Sequence, residues 1–124
     1  MKTNSRYEQS EKIKDVSTRE YQEKLSPGEA LNELKEGNRR FVNNKMLQRD
    51  YNTQIKLTAS GQYPYAAVVS CIDSRIPVEA IFDQGIGDLM VGRVSANVIT
   101  ADMLGSLELA VSICGVKILV VMGH

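Results

Sequence analysis

Ala66-Ala67-Val68-Val69-Ser70, followed at once by Cys71-Ile72-Asp73-Ser74-Arg75, governs the architecture of this chain. The first five residues are apolar or small and lack the alternation of a half-exposed strand. They suit a parallel strand buried on both faces. The next five form a polar cluster, as expected of a loop leaving the carboxyl end of such a strand. Downstream the pattern repeats. Pro77 opens a helix running through Phe82, and Gly85-Ile86-Gly87-Asp88 is a turn. Leu89-Met90-Val91-Gly92-Arg93-Val94 reads as a second strand. Thr100 or Asp102 starts a helix through about Cys114, Gly115 ends it, and Val116 to Met122 is a third strand. Strands alternating with helices imply right-handed crossovers. The expected class is α/β, with a short parallel sheet and flanking helices.

Upstream, Ser26-Pro27-Gly28-Glu29 carries the marks of a helix start. Ser26 is placed to cap, Pro27 suits the first helical position and Glu29 completes a capping box. Leu31, Leu34 and Phe41 share one face of this helix, with Ala30 beside them. Gly37-Asn38 either ends it or lies within it. Lys35, Glu36, Arg39 and Arg40 read as a solvated face. Residues 43–63 are a polar connection with a helical turn expected near Thr53–Ala59. Residues 1–24 are charged and mixed in sign, with Tyr7, Ile13, Val16 and Tyr21 as their main apolar groups. They form either a weak amphipathic helix or an N-terminal arm that orders against a partner, and we favour the arm. The domain proper is then 25–124.

A chain of 124 residues makes one domain, with 43% hydrophobic and 24% charged residues. Fifteen basic residues balance fifteen acidic ones, which argues against nucleic acid or an anionic membrane surface as the main partner. Two cysteines are too few for a disulfide scaffold. The longest apolar run falls far short of the ~20 residues that a spanning helix needs. No apolar signal-peptide core is present in residues 1–24. The expected setting is the cytoplasm.

In an open parallel sheet, ligands bind beyond the carboxyl ends of the strands. Cys71 follows the first strand and His124 follows the third. If those strands are neighbours, a thiolate and an imidazole can converge on one ion, a pair that zinc accepts. Asp73 and Arg75, two apart in a tight loop, can pair bidentately and keep the carboxylate ionised. A structural loop salt bridge with no metal nearby is the plainer alternative.

Cys71-Ile72-Asp73-Ser74-Arg75, then Ile81-Phe82-Asp83, Gly85-Ile86-Gly87-Asp88-Leu89, Arg93, Asn97, Leu104-Gly105-Ser106-Leu107-Glu108 and Val120-Val121-Met122-Gly123-His124 together resemble the β-class carbonic anhydrases. The likeness covers residues 64–124 closely, and the helix carrying Leu34 to Phe41 is similar as well. The resemblance implies that Cys71 and His124 bind zinc. It implies that Asp73 either pairs with Arg75, leaving the fourth position to water, or swings onto the metal. Zinc lowers the pKa of that water towards ~7, and the hydroxide attacks carbon dioxide to give bicarbonate. The family further implies a homodimer or higher homo-oligomer, with the N-terminal arm against the neighbouring subunit.

Two departures stand out. The family's third protein ligand is a cysteine three positions after the histidine, where this sequence has already ended. The expectation is therefore a chain truncated after the zinc-ligand histidine, with impaired turnover, or else a non-catalytic, oligomer-forming fragment of the same fold. Val94 also stands where many members carry Asn. Cys114 lies on the helix face of Leu107, Ala110 and Val111 and reads as a buried, inert core thiol. The Cys71–Arg75 spacing is too short for a thiol phosphatase. Gly85-Ile86-Gly87 follows a helix, not the first strand, and so is no dinucleotide fingerprint.

Overall fold

The computed structural model describes residues 11–124. The expected strands and helices are present in the expected order. The helices are α1 (Arg19–Lys24), α2 (Pro27–Val42), α3 (Tyr51–Leu57), α4 (Val78–Ile81) and α5 (Ala101–Ser112), and the strands are β1 (Ala66–Ser70), β2 (Leu89–Arg93) and β3 (Ile118–Val121). A short 3₁₀ turn spans Ser95–Asn97. The sheet order is β2-β1-β3, all parallel. β1 is central, which explains its unbroken apolar character: every residue of it is buried.

Helix α2 begins as the local chemistry dictates. The Ser26 hydroxyl accepts from the Glu29 N–H at 3.1 Å, and the Glu29 carboxylate accepts from the Ser26 N–H at 3.0 Å. Gly37 lies inside the helix and does not end it. A Cβ there would fall on the carbonyl oxygen of Phe82, so only glycine lets α2 approach the end of α4. Leu25, Ala30, Leu34, Tyr65 and Ala66 form the core on this face of the sheet, joined by Phe82, Leu89, Ile118 and Val120. Burying a side chain such as Leu34 contributes ~1.5–3 kcal/mol. On the opposite face Ala67, Ala110 and Val116 pack with Met90 and Leu107, which holds α5 to β1 and β2.

Three expectations are corrected. Residues 11–24 pack on their own chain. Ile13 pairs with the Gln48–Asp50 backbone through two 2.9 Å bonds, and the Ser17 hydroxyl donates to the Tyr63 carbonyl at 2.6 Å. The buried Gln22 amide fastens α1 to the carbonyls of Pro64 and Cys114. These groups find partners in the connection 43–63 and at Pro64 and Cys114, which anchors the stretch on its own chain; residues 1–10 lie outside the described residues. Arg40 is not on a solvated face. It donates from Nε to the fully buried carboxylate of Asp83, whose other oxygen accepts from Arg49 at 2.6 Å. Cys114 is half-buried, not a core thiol, because α5 ends at Ser112 and the chain turns at Gly115 with φ 77°. β3, an edge strand of the sheet, alternates in exposure. Ile118 and Val120 face α2, but Leu119 and Val121 are 50% and 71% exposed, because β3 is an edge strand whose other face α5 leaves open.

Candidate metal centre

The register of the sheet brings the predicted residues to one end. Val69 pairs with Gly92 on one side and Val121 on the other. The Met122 N–H donates to the Val69 carbonyl, and the Val94 N–H to the Ser70 carbonyl, both at 2.9 Å. The chain then leaves β1 at Cys71 and β3 at Met122, side by side at the carboxyl edge.

Asp73 and Arg75 form the bidentate pair that their spacing predicts. Arg75 Nε reaches Oδ1 at 2.9 Å and Nη2 reaches Oδ2 at 2.6 Å, while the Arg75 backbone N–H adds a third bond to Oδ1 at 2.9 Å. This guanidinium, aided by that backbone N–H and by His124, holds the Asp73 carboxyl well below the usual carboxylate range. His124 Nε2 stands 3.2 Å from Asp73 Oδ2. A carboxylate held at both oxygens by a guanidinium, with an imidazole near one of them, is ionised and fixed in direction.

Cys71 is buried. Its thiol lies below the ordinary cysteine range, first because the Asp73 backbone N–H points at the sulfur, then because those of Ala96 and Ile72 do; burial opposes them. Such a thiol is prepared to become a thiolate. Thiolate, imidazole and carboxylate are donors that suit zinc. Cys71 and Asp73 leave one strand end and His124 leaves its neighbour, with Asp73 committed to Arg75. Among the described residues no three His, Cys, Asp or Glu side chains converge to hold an ion.

Two residues quoted in the sequence without an assigned role belong to this edge. Arg93 donates from Nε to the Cys71 carbonyl at 2.7 Å and from Nη2 to the Asp73 carbonyl. Asn97 donates from Nδ2 to the Met122 carbonyl at 2.8 Å. In the sequence Arg93 is marked by its place at the carboxyl end of a predicted strand and, with Asn97, by the family resemblance. Nothing local to Asn97 announces its partner.

The fold and this edge define a parallel α/β protein with a thiol, an imidazole and an arginine-paired carboxylate at its strand ends. Residues 66–124 match the family model described as carbonic anhydrase. Over 100 residues the chain is 42% identical to carbonic anhydrase 2 of Mycobacterium tuberculosis and 40% identical to a carbonic anhydrase of Mycolicibacterium smegmatis, covering 80% of this chain and 48% of each relative. The crystal structure of the β-carbonic anhydrase CafA of Aspergillus fumigatus superposes with a TM-score of 0.53 at 31% identity, over 78% of this chain and 45% of that one. The Coccomyxa β-carbonic anhydrase in complex with acetazolamide shares the fold, with a TM-score of 0.52 at 24% identity, over 72% of this chain and 40% of that one. The chain thus resembles the β-class carbonic anhydrases in sequence and in fold. It spans about half the length of the curated relatives it matches.

Proposed function

We propose that this chain serves the zinc-dependent, reversible hydration of carbon dioxide to bicarbonate, with Cys71 and His124 as zinc ligands. The observation that carries the reading is the double engagement of Asp73, bound bidentately by Arg75 and facing His124 at 3.2 Å. Zinc bound between Cys71 and His124 supplies the Lewis acidity that makes water a nucleophile near neutral pH. The chain's own residues do the rest. Three backbone N–H groups favour the thiolate form of Cys71. Arg75 holds Asp73 ionised and turned aside, so a position beside the metal stays open. In that place the carboxylate accepts a hydrogen bond from water and orients it. Released from Arg75, the same carboxylate is the alternative third ligand that closes the site.

With Asp73 held by Arg75, these residues offer two protein donors, Cys71 and His124, one fewer than the three of a catalytic zinc site. We therefore expect weak zinc retention and slow turnover from this chain alone. The second reading, a non-catalytic fragment that forms homo-oligomers, draws support from the apolar edge of Leu119 and Val121 beside the exposed Leu104 and Val111. We take the site unit as residues 25–124, with the preceding residues as an N-terminal segment whose part 11–24 lies on the same chain. The cytoplasm fits two free thiols, and no helix among the described residues is long and apolar enough to cross a membrane.

The test is metal content with stopped-flow carbon dioxide hydration on the purified chain. Close to one zinc per chain, with slow turnover abolished in Cys71→Ser, supports the enzyme. A metal-free chain that self-associates tightly, and associates less as Val121→Lys, supports the fragment and removes the catalytic reading.

A further inference from the structure

We propose that Arg93 and Asn97 are positioning residues that set the spacing between the two sides of the metal centre; this rests on the zinc reading above. The segment 93–97 leaves β2 and crosses the ends of both other strands. At its start, the Arg93 guanidinium clasps the carbonyls of Cys71 and Asp73. At its end, the Asn97 amide holds the Met122 carbonyl, two residues before His124. A single five-residue segment therefore ties the thiol and carboxylate loop to the imidazole strand end.

The backbone of this segment is unusual. Ala96 has φ 58° and Asn97 has φ 56°, so two successive non-glycine residues adopt the left-handed region. Such strain persists only where surrounding contacts over-determine it. Here the contacts are those just named: the Arg93 guanidinium on two carbonyls before the turn and the Asn97 amide on a third at its end. Asparagine also tolerates this region better than most residues. β2 pairs with β1 and not with β3, so this segment links the β2 side of the sheet to the exit of β3. Partners of this outer kind orient metal ligands and change metal affinity by about 10–100-fold when removed.

The test uses the whole 124-residue chain and cobalt(II) as the probe. Asn97→Asp keeps the shape and the left-handed tolerance but removes the Nδ2 donor. Arg93→Met removes both guanidinium bonds, and Arg93→Lys restores a single donor. Cobalt is titrated and its thiolate charge-transfer absorption followed, while amide hydrogen exchange at Met122 is measured without metal. The expected result is roughly tenfold weaker cobalt binding in Asn97→Asp, despite its added negative charge, together with roughly tenfold faster exchange at Met122. Arg93→Met should weaken binding further, and Arg93→Lys should recover part of it. Unchanged exchange at Met122 in Asn97→Asp overturns the proposal whatever the metal does. Faster exchange with unaltered cobalt affinity also overturns it, by leaving a merely structural bond. Absence of the thiolate band in the unsubstituted chain instead removes the zinc reading, and the positioning role with it, and is told apart by appearing before any substitution is made.

Discussion

Asp73 Oδ2 lies 2.6 Å from Arg75 Nη2 and 3.2 Å from His124 Nε2, so one carboxylate oxygen joins a loop after β1 to the residue that follows β3. The two strands are neighbours, and the oxygen lies where their exits meet. Its ionisation depends first on Arg75.

Arg75→Ala should therefore return the Asp73 carboxyl towards the ordinary carboxylate range. A lowered carboxyl contributes stability above its unfolded pKa and loses it as the pH falls through the folded one. In the unsubstituted chain this loss lies below the usual carboxylate range. In Arg75→Ala it should move to higher pH. Carbon-13 NMR titration of the Asp73 side chain reads this directly, and an unmoved midpoint would contradict the assignment of Arg75 as its counter-ion.

Asp83 is the buried anion on which Arg40 and Arg49 converge, and its Oδ2 also accepts the Leu47 N–H at 3.1 Å. Burial pushes its carboxyl up, but the two guanidinium groups and that N–H outweigh it and hold it low. Asp83→Ala leaves two arginines facing each other without a counter-charge. The expected cost is about 3–5 kcal/mol, typical of breaking a buried ion pair from one side. Urea unfolding measures it; a loss below about 1 kcal/mol would mean that water reaches the pair freely.

Asp88 behaves in the opposite sense. Burial pushes its carboxyl up to about 6, assisted by Glu33, against the Gly85 N–H, Arg49 and the Ser17 N–H. The folded chain thus holds a proton that the unfolded chain releases near pH ~4. Stability attached to this group is complete below pH ~4 and is lost as the pH rises towards 6. Asp88→Asn removes the dependence. The stability difference between the two proteins should change by about 2–3 kcal/mol across that window, in favour of the variant at higher pH. Denaturation at a series of pH values decides, and parallel profiles would refute the burial argument.

Ala96→Gly should stabilise the metal-free fold. The left-handed conformation costs an alanine ~1–2 kcal/mol, and glycine gives back ~0.5–1 kcal/mol through unfolded-state entropy. The net gain expected is about 0.5–1 kcal/mol, read from the urea midpoint. Destabilisation by the same amount would mean that the Ala96 methyl makes packing contacts worth more than the strain.

Short-range chemistry made much of this protein legible from its sequence. The start of α2 follows from Ser26, Pro27 and Glu29, which act within one turn. The Thr100 hydroxyl caps α5 by the same means, accepting from the Met103 N–H at 3.4 Å. β1 declared itself by apolar residues on both faces, and Asp73 found Arg75 because only Ser74 separates them. The tertiary structure alone decided that Arg40 turns inward to Asp83, that residues 11–24 lie on their own chain, that Cys114 escapes the core, and that Arg93 and Asn97 reach across to the chain leaving β1 and β3. Each of these depends on which strand adjoins which and in what register. A capping hydroxyl meets its partner wherever the helix sits, whereas a guanidinium twenty or more residues from its acceptor meets it only after the sheet has closed the distance.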